Sequence, residues 1–325
     1  MKLAFIIDPL AKLDPAHDTS VALMEAACRK GYAVFITDMN SLSIKDGKAW
    51  AWLQPTEILS MPLVDGKWQV PQPWYQVGAG EFQPLEFMQF VWMRPDPPVT
   101  TEYLYATYIL DYIDPVKTRV INSPQGIRAA NEKMYALQFT KAIPQTIVSA
   151  DKGVIQEFLA QQGRAVMKPL GGKGGEGILF LETGDRNLNS LIEISTNIGK
   201  TPVMVQEYLP AAQQGDKRII LLDGEPIGAV NRVPKSGEFR GNMAAGGSAA
   251  QVDITDRELE ICQQLAPTLK RDGLIFVGID VIGGYLTEVN VTSPTGVREI
   301  DRLDRVSLGD RVMDWLAAKL SDPKA

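Results

Sequence analysis

Residues 171–177 run Gly-Gly-Lys-Gly-Gly-Glu-Gly and lie between two apolar segments, 165–169 and 178–181, that have the composition of β-strands. Five glycines in seven positions cost conformational entropy on folding. That cost is common where backbone N–H groups must approach phosphate oxygens closely. Because a strand rather than a helix follows the glycines, the segment is not a dinucleotide-binding turn, and it lacks the Gly-Lys-Ser/Thr of a Walker A loop. We therefore predict a strand–loop–strand flap over a nucleotide.

Two alternatives compete with a nucleotide flap. A flexible hairpin tip would also be rich in glycine. A protein kinase also covers its nucleotide with a glycine loop, but it needs a catalytic His-Arg-Asp segment, and the single histidine, His17, lies near the N-terminus. The same count excludes a metal site built from several histidines, so we predict an idle or capping role for His17.

Two lysines are candidates for binding the phosphates under such a flap. Lys168 lies in the apolar strand just before the glycines, in Ala-Val-Met-Lys-Pro-Leu. A lysine there is unfavourable unless an anion compensates its charge, and a phosphate at the mouth of the flap would do so. Lys133 is the second candidate, on a helix that we predict to open at Asn122-Ser123-Pro124. Taken by itself, Lys133 would look like a surface lysine.

Residues 275–281 and 286–291 predict the two strands of a hairpin joined through Gly283-Gly284. Glu288 and Asn290 are two residues apart, so both point to one face of their strand. Asp280 joins that face only if the loop has three residues, 283–285, because a two-residue turn would place it on the other side. We predict the three-residue loop, with 280 opposite 288 and 278 opposite 290.

Two carboxylates and a carboxamide on one strand surface repel each other unless a hard cation lies between them. Mg²⁺, ligated by oxygen and shared with the phosphates of ATP, fits this set of Asp280, Glu288 and Asn290. A solvated polar face would account for Glu288 and Asn290, but it explains poorly an aspartate in an otherwise apolar strand.

The order of predicted elements indicates a chain of mixed α/β and α+β class. Residues 2–8, 18–30 and 33–38 predict strand, helix and strand, a βαβ unit that begins a parallel sheet. Residues 45–75 predict an antiparallel excursion, and a strand-rich region follows from about residue 143. We predict an N-terminal domain over 1–122 and a second domain over 123–320, with a central lobe at about 123–205 and a C-terminal lobe at about 206–320.

Composition limits the partners. The 33 Lys and Arg against 39 Asp and Glu give a net charge of −6, which offers no electrostatic reason to bind nucleic acid or an anionic membrane. No apolar run approaches the ~18 residues that a membrane span needs. Cys28 and Cys262 lie far apart and predict two reduced thiols. We expect a cytoplasmic protein with no nucleic-acid or membrane partner.

Further segments extend these motifs over nearly the whole chain. They are Asp8-Pro9, Pro95-Asp96-Pro97-Pro98, Tyr103–Leu110, Asn131-Glu132-Lys133, Lys168-Pro169-Leu170, Gly215-Asp216-Lys217-Arg218, Arg240-Gly241-Asn242, Ala244-Ala245-Gly246-Gly247, Gly273–Asp280 and Glu288–Thr295. Together they resemble the prokaryotic glutathione synthetases of the ATP-grasp superfamily. The resemblance implies a pre-ATP-grasp domain followed by a two-lobed ATP-grasp domain, and synthesis of glutathione from γ-glutamylcysteine, glycine and ATP. It also implies two Mg²⁺ ions, with Mn²⁺ as a substitute, and a homotetramer.

The resemblance implies a role for each candidate residue by position. The ATP phosphates would be bound by the two lysines and the flap glycines, and the adenine and ribose by a segment further on. Arg218 would meet the transferred phosphoryl group, and Arg240 and Gly241 would lie near the reacting groups in a lid over 233–248. The nucleotide-binding residues so implied are Lys133, Lys168, Gly172, Gly174, Gly175, Gly177, Glu207, Tyr208, Leu209 and Asp216, and the metal ligands are Asp280, Glu288 and Asn290.

The candidates for binding the dipeptide rest on position alone. They are Arg94 and Ser20 in the N-terminal domain, and Arg232, Ser293 and Thr295 nearer the centre of the chain. Two features depart from the family pattern. Ser248 stands where the lid of the family has an arginine, and the flap carries the charged Lys173 and Glu176.

Two other functions remain open. One is another ATP-grasp carboxylate–amine ligase with different substrates, such as a D-alanine–D-alanine or glutamate-adding ligase, because specificity depends on pocket shape. The other is a non-catalytic ATP-binding module used in regulation or assembly. A module of that kind should have lost its metal ligands or phosphate lysines, and all five candidates, Lys133, Lys168, Asp280, Glu288 and Asn290, are present.

Overall fold

The computed structural model describes residues 1–172, 174–235, 241 and 246–321. The N-terminal part is an eight-stranded sheet in the order β10-β9-β1-β2-β4-β3, with β7 and β8 both paired to β4. Strands β5 and β6 form a separate small hairpin. The elements are β1 (Lys2–Ile6), α1 (Thr19–Arg29), β2 (Ala33–Thr37), β3 (Leu42–Lys45), β4 (Lys48–Ile58), β5 (Leu63–Val64), β6 (Lys67–Trp68), β7 (Tyr75–Val77), β8 (Glu81–Pro84), β9 (Phe90–Met93), α2 (Thr101–Leu110), β10 (Arg119–Ile121) and α3 (Pro124–Ala129).

The predicted βαβ unit begins this sheet. Strand β1 pairs in parallel with β2 and with β9, and β9 pairs in parallel with β10. Helix α1 begins where the Asp18 carboxylate accepts a hydrogen bond from the Val21 N–H at 2.9 Å, and Gly31 follows its end with a φ of +72°, as expected of a helix C-terminus. Strand β4 is antiparallel to its neighbours, which is the predicted antiparallel excursion.

One apolar core joins the N-terminal sheet to the C-terminal part of the chain. Phe5 and Trp92 share a buried cluster with Phe276 and Leu316, and the rings of Trp92 and Phe276 lie 5.7 Å apart, edge to face. The buried Asn122 amide adds a polar link, because its nitrogen donates to the carbonyls of Phe276 and Val291 at 2.8 and 2.7 Å. These contacts fix the hairpin that carries Asp280, Glu288 and Asn290 (residues 276–290, the acidic hairpin) relative to the N-terminal sheet.

The central part is a four-stranded antiparallel sheet in the order β11-β14-β12-β13. Strands β12 and β13 flank the glycine segment and pair with each other, with Met167 opposite Leu179, so the predicted strand–loop–strand arrangement is confirmed. The elements are β11 (Thr146–Ser149), α4 (Lys152–Gln162), β12 (Arg164–Pro169), β13 (Leu179–Glu182), α5 (Leu188–Ser195) and β14 (Val203–Glu207). The predicted lobe boundary at 205/206 falls inside β14.

The C-terminal part is a five-stranded antiparallel sheet in the order β17-β16-β15-β18-β19. Helix α6 packs against it and begins with a capping box, in which Thr255 and Glu258 each accept a hydrogen bond from the backbone N–H of the other. The elements are β15 (Asp216–Leu222), β16 (Glu225–Val233), β17 (Ser248–Gln251), α6 (Asp256–Arg271), β18 (Phe276–Ile282), β19 (Tyr285–Asn290), α7 (Val297–Asp304) and α8 (Leu308–Ser321). No described helix is long and apolar enough to cross a membrane.

The loop of the acidic hairpin differs from its prediction, although the faces are as expected. Ile282 pairs with Tyr285 across a two-residue turn, and both turn glycines have positive φ, +57° and +80°, as a tight hairpin turn needs. The three-residue loop was therefore wrong. The register then shifts by one residue between Asp280 and Val281, which leaves Thr287 as the extra residue of a β-bulge. That bulge returns Asp280 to a position opposite Glu288.

Other elements also depart from the sequence predictions. The helix opened by Pro124 ends at Ala129, so Lys133 lies in a turn and not on that helix. The reason is local, since the Asn131 carboxamide oxygen accepts hydrogen bonds from the N–H groups of Lys133 and Met134 at 3.2 and 3.0 Å and starts a new turn. Helices α5 and α7 were not predicted.

Candidate active site

A cavity of about 580 Å³ opens between the four-stranded and the five-stranded sheets, which is a suitable size for a nucleotide. Strands from both sheets and the glycine flap contribute to its walls. Its lining includes the predicted residues Lys133, Lys168, Gly172, Gly174, Gly175, Glu207, Tyr208, Leu209, Asp216, Arg218, Arg232, Gly241, Asp280, Glu288, Asn290, Ser293 and Thr295.

One wall of the cavity belongs to the central sheet and carries Lys168. Its ammonium donates a hydrogen bond to the Gln206 side-chain oxygen at 2.6 Å. Burial lowers the pKa of Lys168, and the negative charges of Glu288 and Asp216 only partly oppose that change. The lysine is therefore held at the cavity by a neutral partner, and sequence reasoning did not identify Gln206.

The apolar end of this wall is formed by the last residue of β14 and the two residues that follow it. Val166 and Ile178 line it together with the predicted Glu207, Tyr208 and Leu209. The Tyr208 ring packs edge to face on Phe180, with centroids 5.0 Å apart. This end of the cavity offers apolar surface and backbone groups to a flat heterocycle.

The flap glycines differ in their environment. Gly174 and Gly175 have φ values of +60° and +84° and line the cavity. Gly177 has a φ of +68° and packs against Pro169, where a Cβ atom would come within 3.1 Å of the proline ring, and it does not line the cavity within the described part of the chain. Lys173 lies outside the described residues.

Lys133 connects the two walls. It is buried, its ammonium lies 3.1 Å from the Glu288 carboxylate, and it donates a hydrogen bond to the Gly172 carbonyl at 3.0 Å. The Asn131 amide nitrogen donates to the Leu170 carbonyl at 3.1 Å. The turn at 131–133 thus ties the base of the flap to the acidic hairpin.

The opposite wall belongs to the C-terminal sheet and carries a network of ion pairs. The Arg218 guanidinium binds both oxygens of Asp280, at 2.5 and 3.1 Å. Arg232 lies between two carboxylates, 2.5 Å from Asp216 and 2.9 Å from Asp280. All four side chains line the cavity, so this wall holds its cations already paired with anions.

Burial and the neighbouring arginines have opposite effects on the pKa values of the two aspartates in this network. Burial by itself would raise the pKa of Asp280, but Arg218 and Arg232 outweigh it and hold the pKa below its ordinary value. Burial raises the pKa of Asp216, and Arg232 opposes that rise. Asp280 is therefore the more firmly ionised of the two.

The predicted metal ligands face the same cavity. Asp280 and Glu288 are direct cross-strand partners, and Asn290 stands opposite Gly278 on the same face. The Asn290 amide nitrogen is buried without a hydrogen-bond partner in the part of the chain that the structure describes. Turning the carboxamide by 180° would place its oxygen there instead. Two carboxylates and an amide oxygen are hard donors that suit Mg²⁺ or Mn²⁺.

The donor set is incomplete without a ligand. Over residues 1–172, 174–235, 241 and 246–321, no three His, Cys, Asp or Glu side chains gather as a metal site. Glu132 does not add a third carboxylate to the set, because its oxygen accepts hydrogen bonds from the N–H groups of Val291 and Thr292 and from the Thr292 hydroxyl, at 2.9, 3.0 and 2.8 Å. Phosphate oxygens would have to complete the coordination.

Arg94 and Ser20 lie away from the cavity lining. Both are buried, the Arg94 guanidinium donates to the Ser20 hydroxyl at 3.1 Å, and it also donates to the Pro294 carbonyl at 3.0 Å. Thr295 next along the chain accepts from Arg218 at 3.1 Å. The structure therefore brings Arg94 and Ser20 to the loop that supports Arg218.

A second cavity of about 420 Å³ adjoins the first. The two share Arg218, Arg232, Thr295 and Asp96. His17 also lines the second cavity, with its Nδ1 atom 2.6 Å from the Glu299 carboxylate. The N-cap of helix α1 is Asp18 and not His17. Further acidic and basic lining residues are Lys12, Asp14 and Asp18.

The predicted lid is only partly described. Arg240 lies outside the described residues. Gly241 lines the first cavity, and a Cβ atom there would come within 2.4 Å of the Arg232 carbonyl, so only glycine fits. Ser248, the departure from the family pattern, begins β17 and pairs with Val233.

Sequence comparison supports the resemblance noted from the motifs. A model of the N-terminal domain of prokaryotic glutathione synthetase matches residues 1–128, and a model of the ATP-grasp domain of prokaryotic glutathione synthetase matches residues 132–305. The chain is 67% identical to the glutathione synthetase of Thermosynechococcus vestitus over 97% of this chain and 99% of that protein. It is 63% identical to that of Synechocystis sp., again over 97% and 99%.

Solved structures with the same fold are more distant in sequence. D-cycloserine synthetase DcsG matches with a TM-score of 0.64 at 17% identity, over 98% of this chain and all of that one. The ATP-grasp ligase PsnB, complexed with minimal precursor, Mg and ADP, matches with a TM-score of 0.63 at 16% identity, over 99% and 98%. These likenesses confirm the predicted fold class, an N-terminal α/β domain followed by a two-lobed ATP-grasp domain. With both family models and these relatives in agreement, the chain belongs to the prokaryotic glutathione synthetase family.

Proposed function

We propose that the chain is an ATP-dependent carboxylate–amine ligase that forms glutathione from γ-glutamylcysteine and glycine, with ATP converted to ADP and phosphate. The observation that carries this proposal is a single cavity with two unlike walls. One wall presents Lys168 and a glycine flap, and the other presents Asp280, Glu288 and Asn290. A triphosphate between them would meet an ammonium group on one side and a divalent cation on the other.

The reaction must first make a carboxylate electrophilic. Transfer of the γ-phosphoryl group to the dipeptide carboxylate gives an acyl phosphate, which the glycine amine attacks. Protein groups assist that transfer by positioning and by charge neutralisation. Lys168 and Arg218 would bind the phosphoryl oxygens, Lys133 would hold the flap base in register, and Asp216 would bind the ribose. Bound Mg²⁺ or Mn²⁺, as two ions on Asp280, Glu288 and Asn290, would supply electrostatic stabilisation of the phosphates.

The second cavity is our proposed site for γ-glutamylcysteine. Its shared wall supplies Arg218, Arg232 and Thr295, and the dipeptide carboxylate that accepts the phosphoryl group would lie there. Its far side carries Asp18 and Glu299, whose negative charges suit the α-ammonium group of the substrate. Arg94 and Ser20 would then act through the 293–295 loop, although both were predicted as direct contacts.

Water must be kept from the acyl phosphate, because it hydrolyses readily. We assign this task to the lid over 233–248, with Arg240 and Gly241 near the reacting groups, as the family resemblance implies. Gly241 supports this assignment, since it lines the cavity. The same resemblance is the basis for proposing a homotetramer. We also propose the cytoplasmic location and the division into domains 1–122 and 123–320 that the sequence predicts.

The function is tested by measuring ADP release with each acceptor pair in turn. γ-Glutamylcysteine with glycine should support turnover, and D-alanine should not. Turnover with D-alanine alone would favour a D-alanine–D-alanine type ligase. Tight binding of a non-hydrolysable ATP analogue, with no ADP release under any condition, would favour a non-catalytic module.

A further inference from the structure

Helix α7 has no cap from its own N-terminal residue. The N-cap is Gly296, which has no side chain to accept a hydrogen bond from the first turn. The Thr19 hydroxyl of α1 accepts one instead, from the Val297 N–H at 3.4 Å. A helix of eight residues is also too short to be stable by itself in water. The position of α7 therefore depends on its contacts with the rest of the chain.

Arg298, in the first turn of α7, forms a buried ion pair with α1. It is 3% exposed, and its guanidinium lies 2.7 Å from the buried Glu25 carboxylate. The other Glu25 oxygen accepts a hydrogen bond from the Met61 N–H at 2.8 Å and lies 3.7 Å from the more exposed Arg29. One carboxylate thus ties α7 both to α1 and to the segment that leads into β5.

The small hairpin of β5 and β6 packs on the same arginine. The Arg298 guanidinium carbon lies 4.6 Å from the centre of the Trp68 ring, which is within the range of a cation–π contact. The Trp68 indole nitrogen donates a hydrogen bond to the Arg298 carbonyl at 3.3 Å. The Met61 sulfur lies 3.4 Å from the guanidinium. The hairpin therefore holds both the side chain and the backbone of one residue of α7.

The next residue of α7, Glu299, lines the second cavity. It is 6% exposed, and one of its oxygens lies 2.6 Å from the His17 Nδ1 atom. A carboxylate has about four acceptor sites, so Glu299 can also accept from an ammonium group. Successive side chains on a helix point about 100° apart. Arg298 can thus be fixed in the protein interior while Glu299 faces the cavity.

We propose that Arg298 is a positioning residue, which fixes the first turn of α7 so that Glu299 meets the α-ammonium group of γ-glutamylcysteine. This inference rests on the proposed function, since it takes the second cavity as the dipeptide site. Arg298 is not among the lining residues of either cavity, so it would act on the substrate only through Glu299. Its loss should weaken recognition of the ammonium group and leave the nucleotide site intact.

The test measures kcat/KM for γ-glutamylcysteine and for glutarylcysteine, which lacks only the α-ammonium group. The unaltered chain should prefer γ-glutamylcysteine by at least about tenfold, as expected for one charged hydrogen bond. Arg298→Met should reduce this preference to about twofold by raising the KM for γ-glutamylcysteine, with the KM for ATP changed by less than about twofold. Arg298→Lys keeps a positive charge beside Glu25 and should recover most of the preference. Arg271→Met is the matched control, because Arg271 is exposed and pairs with Asp272 outside both cavities.

A double variant, Arg298→Met with Glu25→Gln, separates positioning from stability. It removes both charges of the pair and keeps an oxygen for the Met61 N–H, so the melting temperature should rise above that of Arg298→Met. The preference should stay low, because α7 is still not tied to α1. If Arg298→Met does not fold, Trp68→Leu takes its place and should reduce the preference by about threefold.

A preference that recovers together with the melting temperature would overturn the inference, because Arg298 would then serve stability alone. An unchanged preference in Arg298→Met or in its replacement Trp68→Leu would do the same, and so would equal turnover of both dipeptides by the unaltered chain. No turnover of γ-glutamylcysteine with glycine by the unaltered chain would instead overturn the proposed function, and the inference with it.

Discussion

The two walls of the nucleotide cavity hold their cations in opposite ways. On the central-sheet wall, the close partner of Lys168 among the described residues is the neutral Gln206. On the C-terminal wall, Arg218 and Arg232 are both paired with Asp280, and Arg232 also binds Asp216. One wall offers an ammonium group hydrogen-bonded to a neutral amide, and the other is an almost balanced network of ion pairs.

This difference indicates how each wall meets a triphosphate. The central wall can receive phosphate oxygens as it stands. If Asp280 ligates a divalent cation, as we propose, the cation would compete with Arg218 and Arg232 for its oxygens. The two guanidinium groups would then be freer to meet phosphoryl and carboxylate groups. We therefore expect metal and nucleotide to bind this wall with positive coupling.

The largest effect is expected from Asp280→Asn. The change removes a charged group that we propose as a metal ligand, and it leaves two buried guanidinium groups without their shared anion. Breaking a buried pair in this way costs about 3–5 kcal/mol of stability. We expect kcat/KM to fall by at least about 100-fold, or roughly 2.7 kcal/mol of transition-state stabilisation. Steady-state ADP release and chemical denaturation would measure the two losses.

Asp223→Asn is the matched control for that variant. Asp223 pairs with Lys319 at 3.3 Å outside both cavities, and surface pairs of this kind contribute little. Activity should be unaltered. Asp280→Asn with near-normal activity would remove the C-terminal wall from the reaction and, with it, the contrast between the walls.

A pair of lysine variants separates the walls more directly. Lys168→Met should weaken binding of an ATP analogue by about tenfold or more while leaving stability unchanged or higher, because a buried ammonium without a charged partner is unfavourable in the empty protein. Lys133→Met should lower stability, since it leaves Glu288 unpaired and loses the bond to the Gly172 carbonyl. Calorimetry and thermal unfolding of both variants test this. Equal stability losses would mean that the two lysines are held alike.

Sequence reasoning could identify the wall residues that belong to regular local patterns. The alternation of residues in the acidic hairpin placed Glu288 and Asn290 on one face, because side-chain direction in a strand has a period of two. The glycines of the flap and the two strands around them were also predicted correctly from the sequence. Asp280 reached its predicted place for a different reason, a bulge at Thr287, and single-residue bulges have no strong sequence signal.

The partners of these residues were not predictable in the same way. Gln206 meets Thr146 across 60 residues, and Arg218 meets Asp280 across 62. Such pairs arise from strand order, which a single sequence does not specify. Arg94 shows the converse, because its loop position suggested substrate contact while the fold directs it to the Pro294 carbonyl. A buried glutamine in an apolar strand is the one signal that could have pointed to Gln206.

A smaller effect is expected from Arg232→Met, measured as Mn²⁺ binding by electron paramagnetic resonance without nucleotide. Removing one guanidinium from Asp280 should free that carboxylate and tighten Mn²⁺ binding by about fivefold, at the low end of usual coupling energies. Arg232→Lys keeps a positive charge and should change the affinity less. Weaker Mn²⁺ binding in Arg232→Met would show that the arginine helps to build the metal site and does not compete for it.

The last comparison is between Asp280 and Asp301, a buried carboxylate that belongs to neither wall of the cavity. Asp301 is 6% exposed, and its oxygen accepts a hydrogen bond from the Leu308 N–H at 2.7 Å. Burial raises the pKa of Asp301 to about 7 from an ordinary value of 3.8, with the Leu308 N–H and the charges of Arg298 and Arg29 opposing the rise and Asp310 adding to it. Asp280 is buried as deeply but is hydrogen-bonded directly to Arg218 and Arg232, and its pKa moves the other way.

Asp301→Asn tests whether counter-charges, and not burial, decide the charge on the cavity wall. Between pH ~4 and ~7 the folded protein keeps a proton on Asp301 that the unfolded chain has lost, so stability should fall as the pH rises, by up to about 1.4 kcal/mol per unit. Asparagine keeps the acceptor for Leu308 and has no proton to lose, so the variant should show a flatter profile of unfolding free energy and a higher melting temperature at pH 8. Asp304→Asn, on the same helix and nearer to solvent, should follow the unaltered chain, and kcat should be the same in all three proteins. If Asp301→Asn keeps the original slope, the carboxylate is already ionised in the folded protein, and burial without a directly paired arginine is then not enough to hold a proton.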